Sequence, residues 1–271
     1  MEKEIVCKGV MKMSGEKKYR VELEGKEDFL WITDNREQAE EWKAQGRAVL
    51  IYLHEGNRGQ DFSGFRYAVE EPEDLDEVYV ERIYRRLKGL PWKILETERC
   101  IVRETTEDDV EEFYNIYQEP AITKYMEGLF PEKSAERQYI REYIEKVYGY
   151  YEFGVWTVLE KESGAVIGRA GFSYREGYEE PELGYIIGVP WQRKGYAEEV
   201  CRGILDFGWK ELGFGAVQVL VETENEPSLH LCRKLGFTGE EIVQIGGRKH
   251  YRLVKKGNQK NQKSCNKKLN L

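Results

Sequence analysis

Apolar positions fall into short blocks along this chain. Their spacing alternates between the two-residue period of strands and the three-to-four-residue period of helices. Residues 29–33 form an apolar run that ends at Asp34-Asn35, whose side-chain oxygens can cap a helix. Residues 36–45 are helical in composition, Gly46 supplies a left-handed stop, and 48–53 reads as a buried strand. Strand, helix and strand in about 25 residues predict a parallel pair joined by a crossover. Residues 65–70 read as a third strand. Leu75, Val78, Tyr79, Ile83 and Leu87 then lie near helical spacing within 74–88, and Gly89 ends the pattern. The first hundred residues therefore predict a small α/β unit.

Gly89-Leu90-Pro91-Trp92 interrupts both periods and marks a boundary region, giving domains at 1–97 and 98–254. Beyond it the pattern restarts. Residues 99–104 read as a strand, and Thr106, with Asp109 three positions on, opens a helix carrying Phe113, Ile116 and Tyr117. A second helix covers 133–148. Residues 155–159 and 165–173 form a hairpin about Lys161-Glu162-Ser163-Gly164. A strand over 182–189, a helix over 196–212 and a strand over 216–222 follow. A helix over 225–235, stopped by Gly236, and strands near 237–243 and 249–254 complete the pattern. There is no internal repeat.

Composition narrows the function classes. Hydrophobic residues make up 40% and aromatics 13%, with 18 Tyr, which supplies a core and argues against a disordered chain. The apolar run at 48–53 is strand-sized, far short of the roughly 20 residues that span a bilayer. The opening Met-Glu-Lys-Glu-Ile-Val-Cys has no signal-peptide pattern, so a cytoplasmic protein without a membrane partner is expected. Cys7, Cys100, Cys201, Cys232 and Cys265 lack CxxC spacing and there are only three His, so neither a metal cluster nor a disulfide framework is predicted. The formal charge is −8, yet residues 255–271 hold six Lys and no acid, leaving about −14 on the remainder. That basic tail is expected to be disordered. The acidic body would repel a phosphate backbone, which argues against a nucleic-acid partner.

One segment carries chemistry: Glu182-Leu183-Gly184-Tyr185-Ile186-Ile187-Gly188-Val189-Pro190-Trp191-Gln192-Arg193-Lys194-Gly195-Tyr196-Ala197. A strand runs into a basic, Gly-containing turn, and a long amphipathic helix begins there. Such a turn aims several backbone N–H groups at one spot beside the positive end of the helix dipole. Gly195 and small Ala197 let a diphosphate approach the main chain. The Lys-Ser/Thr ending of a nucleotide P-loop is missing, so an ATPase has little support.

Gln192-Arg193-Lys194-Gly195-Tyr196-Ala197 resembles the Q/R-x-x-G-x-G/A motif of the GNAT superfamily (GCN5-related N-acetyltransferases). Downstream, Asn225-Glu226-Pro227-Ser228 and Leu235-Gly236-Phe237 resemble the N-x-x-S and G-F segments of that family, in the same order. Ile101-Val102-Arg103-Glu104 and Glu182-Leu183-Gly184-Tyr185 bring the chain nearest to the RimJ/RimL-like branch. The resemblance implies an α/β (α+β) fold whose C-terminal domain has a mixed, mostly antiparallel central sheet flanked by helices. It also implies acetyl-coenzyme A as co-substrate and direct attack by a primary amine of a small molecule, peptide or protein N-terminus. The strand ending at Val189 should splay from that at 216–222, with main-chain groups of Ile187, Gly188 and Val189 binding pantetheine. Gln192, Arg193, Lys194, Gly195, Tyr196 and Ala197 would hold the diphosphate, and Asn225 and Ser228 would touch the cofactor or cap their helix.

The attacking amine must lose a proton, and Glu182 on the cradle strand is the first choice of base, with Glu222 second. The departing thiolate needs a proton or hydrogen bond. Where many relatives place a Tyr, seven residues after the Asn, this chain has Cys232, which either donates or simply packs; Tyr185 is a further option. That departure keeps a second reading open, a non-catalytic acyl-coenzyme-A-binding sensor. The first domain resembles at most a shortened Rossmann-like remnant. Asp34, and the letters Asp74-Leu75-Asp76-Glu77-Val78, loosely resemble haloacid-dehalogenase-like phosphatases, but the second stretch opens a helix. A packing, homodimerising or acceptor-recognising role is the expectation for it.

Overall fold

The computed structural model describes residues 6–13, 16–23 and 26–257. The chain packs as two compact units, Met1–Trp92 and Lys93–Leu271. All but the first three residues of the basic tail at 255–271 lie outside the described residues.

In the first unit, β1 (Val6–Met13), β2 (Glu16–Leu23) and β3 (Lys26–Thr33) form an antiparallel meander. Helix α1 (Arg36–Ala44) returns the chain to β4 (Ala48–Tyr52), which pairs parallel to β3, as the strand–helix–strand spacing predicts. Asn35 caps α1 by accepting from the Gln38 N–H at 2.9 Å, and Gly46 ends it with φ +73°. The two-residue β5 (Ala68–Val69) continues the parallel section. Helix α2 (Glu77–Leu87) packs Val80, Ile83 and Tyr84 on Leu30, Ile32 and Leu50. Helix α1 covers Val49 and Ile51 on the other face. Two findings amend the expectation of a Rossmann-like unit. The first two strands are an antiparallel addition to the parallel section. Asp76, of the Asp74-Leu75-Asp76 stretch, caps α2 through the Tyr79 N–H at 2.7 Å. Asp34 sits beside the imidazole of His54 at 3.2 Å.

The second unit is an eight-stranded sheet with the order β12-β13-β11-β10-β9-β8-β7-β6. Its first strands are β6 (Lys93–Glu96), unforeseen from the sequence, and β7 (Cys100–Arg103). Thr106 and Asp109 form a reciprocal capping box before α3 (Val110–Tyr117). Then come the short α4 (Pro120–Thr123), α5 (Lys133–Tyr143), a π-turn over Ile144–Tyr148, and the single turn α6 (Gly149–Tyr151). The hairpin β8 (Val155–Glu160) and β9 (Val166–Ser173) leads to β10 (Glu182–Ile187) and α7 (Tyr196–Lys210). The chain closes with β11 (Ala216–Glu222), α8 (Glu226–Lys234), β12 (Thr238–Ile245) and β13 (Arg248–Lys256).

Side chains alternate across this sheet and place helices on both faces. Trp156 and Val158 of β8 join Val200, Ile204 and Leu205 of α7 in the main core. The intervening Thr157 points the other way and donates to Asp109, at the start of α3, at 2.8 Å. The Asp109 carboxylate also accepts from Arg103 at 2.6 and 2.8 Å and from the Thr106 N–H at 2.8 Å. Burial opposes its ionisation, but Arg103 and these bonds hold it below the usual carboxylate range. This buried knot fixes α3 to the sheet. Gly168 lets β9 sit tight against the cradle strand, since a Cβ there would lie 2.0 Å from the Ile186 carbonyl oxygen.

Candidate active site

The site begins with a strand that stops pairing. Strand β10 pairs with β9 from Glu182 through Ile187, yet pairs with its parallel neighbour β11 only at Glu182–Gln218. Beyond that point the two strands diverge. The Gly188 N–H donates to Ile167 of β9 at 2.8 Å. Strand alternation therefore turns the main-chain groups of Tyr185 and Ile187 toward the opening. The Ile187 carbonyl accepts from Gln192 Nε2 at 2.8 Å, which ties the strand end to the following turn. The Val189 carbonyl closes that turn by accepting from the Gln192 N–H at 3.1 Å.

After a short 3-10 turn over Val189–Trp191, the chain becomes left-handed twice: Arg193 has φ +59° and Gly195 has φ +87°. Gly195 is the N-cap of α7, and no side chain caps that helix. The first N–H groups of α7, at Tyr196 and Ala197, thus have no acceptor within the helix. Two left-handed residues before an uncapped helix make an anion-binding concavity. Both carboxylates of the first turn are engaged by cations. Glu198 meets Arg202 and Lys234, and Glu199 meets Arg99.

Arg99 contacts this turn, which the sequence reading did not foresee. It donates through Nη1 to the Lys194 carbonyl at 3.0 Å and lies over the Tyr196 ring at 4.3 Å. Glu199 holds it in place by accepting from the Arg99 N–H, Arg99 Nε and the Thr97 hydroxyl, each at 2.7 Å. Burial works against the Glu199 charge, but those bonds keep its carboxyl below the usual range. The bend between β6 and β7 thereby braces the turn. Nothing in the local sequence around Arg99 signals this, because its partners lie about a hundred residues away.

The downstream segment touches β10 through a side-chain contact. Asn225 caps α8, its Oδ1 accepting from the Ser228 N–H at 3.3 Å. The Ser228 hydroxyl meets the Tyr185 phenol at 2.7 Å, and burial drives that phenol far above its ordinary range. Cys232, one turn on from Ser228, is 1% exposed and belongs to the main core; burial pushes its thiol up to about 12. Glu182 stands at the vertex where β10 and β11 part, its Oε2 accepting from Arg175 Nε at 2.7 Å. Glu222 is bound to Arg248 at 2.7 Å. An open cleft of about 1060 Å³ adjoins Glu182, lined among others by Tyr174, Tyr178, Glu176, Glu179 and Glu241. Among the described residues no three His, Cys, Asp or Glu are placed to hold a metal ion, and no helix is long and apolar enough to cross a membrane.

The splayed parallel pair feeds an uncapped helix through a left-handed turn, and comparison with known proteins identifies the class to which this domain belongs. The acetyltransferase (GNAT) domain model matches residues 99–238, just over half of the chain. The chain belongs to the GNAT acetyltransferase family. It is 29% identical over 158 residues to the uncharacterized N-acetyltransferase YoaA of Bacillus subtilis, covering 56% of this chain and 86% of that one. In fold it matches a GNAT-family acetyltransferase of Bacillus anthracis, with TM-score 0.52, 21% identity, and 60% and 97% of the two chains covered. It also matches the ribosomal-protein-S5-alanine acetyltransferase of Vibrio fischeri, with TM-score 0.53, 18% identity, and 61% and 97% covered.

Proposed function

We propose that the protein is an acetyl-coenzyme-A-dependent N-acetyltransferase acting on a primary amine. The opening between β10 and β11, leading straight into the uncapped start of α7, carries this reading. Bound acetyl-coenzyme A supplies an acetyl group activated as a thioester. The residues present fit it. Main-chain N–H groups of Ile187 and Val189 would receive the pantetheine arm, their carbonyls being taken up by Gln192. The N–H groups of Gly195, Tyr196 and Ala197, with the Arg193 and Lys194 side chains beside them, receive a diphosphate. An N–H of β10 polarises the thioester carbonyl, placing a fixed donor where negative charge develops.

Glu182 is the proposed base. Arg175 occupies one of its oxygens, leaving Oε1 to accept, directly or through water, the proton that the acceptor's ammonium must lose before its nitrogen can attack. The amine nitrogen bonds to the acetyl carbon as the carbon–sulfur bond breaks. The thiolate takes up a proton; Cys232 stands at the sequence position of the proposed donor but packs in the main core, with the Tyr185–Ser228 hydroxyl pair beside it. A thiol held to about 12 gives up its proton reluctantly, so Glu182 is the better supported of the two groups. The acidic cleft with exposed Tyr174 favours an acceptor that carries positive charge.

Calorimetric titration with acetyl-coenzyme A tests the reading. Micromolar binding by the wild type, lost in Gly195→Glu, supports the cradle; a folded wild type that does not bind refutes it. An amine screen follows, in which Glu182→Gln should lose turnover by a hundredfold or so while retaining cofactor binding. Binding without turnover of any amine would favour the sensor.

A further inference from the structure

The opening between β10 and β11 needs a cause. Strand β11 pairs with β13 all along Ala216–Glu222, and β10 pairs with β9 throughout, yet the two strands share one registered pair. Parallel strands lying this close would ordinarily pair further, since each added residue satisfies main-chain groups. A polar knot ties the two strands on the side of the vertex that precedes Glu182. Gln218, wholly buried, engages its N–H and both ends of its side-chain amide there. Its N–H donates to the Pro181 carbonyl at 2.9 Å and its Nε2 to the Glu180 carbonyl at 3.0 Å, while its Oε1 accepts from Arg252 Nε at 2.8 Å.

Arg252, on β13, spreads its planar fork over three acceptors from three elements. Beside Gln218 of β11 it reaches Glu180, in the loop before β10, through Nη2 at 2.8 Å and Glu241 of β12 through Nη1 at 3.2 Å. Its guanidinium also lies over the Tyr178 ring at 5.3 Å. The residues immediately before Glu182 are therefore riveted to β11 and β13, while those after it follow β9. We propose that Arg252 is a positioning residue for the cofactor: its clasp fixes where β10 leaves β11, and so the width of the slot that takes the pantetheine arm.

This inference rests on the acetyltransferase reading, and the experiment separates the two. Coenzyme A binding is measured by calorimetry on the full chain, with KM for acetyl-coenzyme A and kcat measured once an amine acceptor is in hand. Arg252→Lys keeps the charge but cannot serve three acceptors at fixed angles. It should weaken coenzyme A binding at least tenfold and raise KM more than it lowers kcat. Glu180→Gln, a milder cut to the same clasp, should move binding the same way by a smaller factor. Glu240→Gln, on β12 of the same hairpin, removes an exposed pair with Arg233 of α8 and should leave binding within twofold. A wild type that fails to bind coenzyme A overturns the proposed function and this inference together. A wild type that binds, with Arg252→Lys and Glu180→Gln binding within twofold of it, overturns the clasp alone, even if both variants melt at lower temperature. If Arg252→Lys fails to fold, Glu180→Gln decides.

Discussion

Replacing Gly195 by Ala probes the turn at the head of α7 in a way that can be worked out beforehand. At φ +87° an L-residue is strained, by about 1–2 kcal/mol for a left-handed position. The new Cβ also meets Arg99 Nη2 at 3.3 Å, a contact that the end of a flexible side chain can relieve. The backbone term therefore dominates, and it must appear somewhere. If the turn keeps its shape, the folded protein loses ~1–2 kcal/mol of stability and cofactor affinity is untouched. If the turn relaxes, stability is spared, but the binding geometry must be restored on association. Affinity then falls by about 5- to 30-fold. The sum of the two losses should be about 1–2 kcal/mol however it divides. Urea denaturation and acetyl-coenzyme A titration of the same two proteins measure both parts. Losses that together stay under about 0.5 kcal/mol, below the range for a left-handed L-residue, would refute the strained turn.

Three further outcomes follow from the geometry. Asp109→Ala strands the half-buried Arg103 and should cost about 3–5 kcal/mol of stability at pH 7. Because the folded-state pKa of Asp109 is lowered, its contribution is present above the unfolded value near 4 and is lost as pH falls through the folded one. The stability gap between wild type and variant should thus narrow on acidification below about pH 4, and a gap constant from pH 7 to pH 2 would count against the knot. Arg99→Ala releases the Lys194 carbonyl and the Tyr196 ring, and should weaken acetyl-coenzyme A binding about two- to tenfold with the helix content unchanged. Cys232→Ala tests the proposed donor: a kcat loss of about a hundredfold or more assigns the proton to the thiol, and a change within twofold leaves it as a packing residue.

Much of the fold was legible because its signals are local. Asn35, Asp76, Thr106 with Asp109, and Asn225 are each short side chains one step before an apolar-periodic run, and each caps the helix there. The hairpin of β8 and β9 and the strand–turn–helix around Gly195 were readable for the same reason: turn chemistry acts over four or five residues. Strands β1, β2 and β6 were missed. They are made by pairing with neighbours, and their own sequences, interrupted by Lys in β1 and by charged residues in β2 and β6, carry weak strand signals.

The sequence by itself determined where the left-handed turn before α7 lies, because a glycine between a strand and an amphipathic helix is a local signal with a local cause. It also determined the family, through two short motifs in fixed order. Only the tertiary structure decided what those motifs are held by. Arg99 braces the turn from about a hundred residues away, Arg252 reaches Glu180 across 72 positions, and Cys232 proves to face the core. Such assignments rest on which strand lies beside which, and register between distant strands is set by the burial of whole faces, which no single stretch of sequence contains.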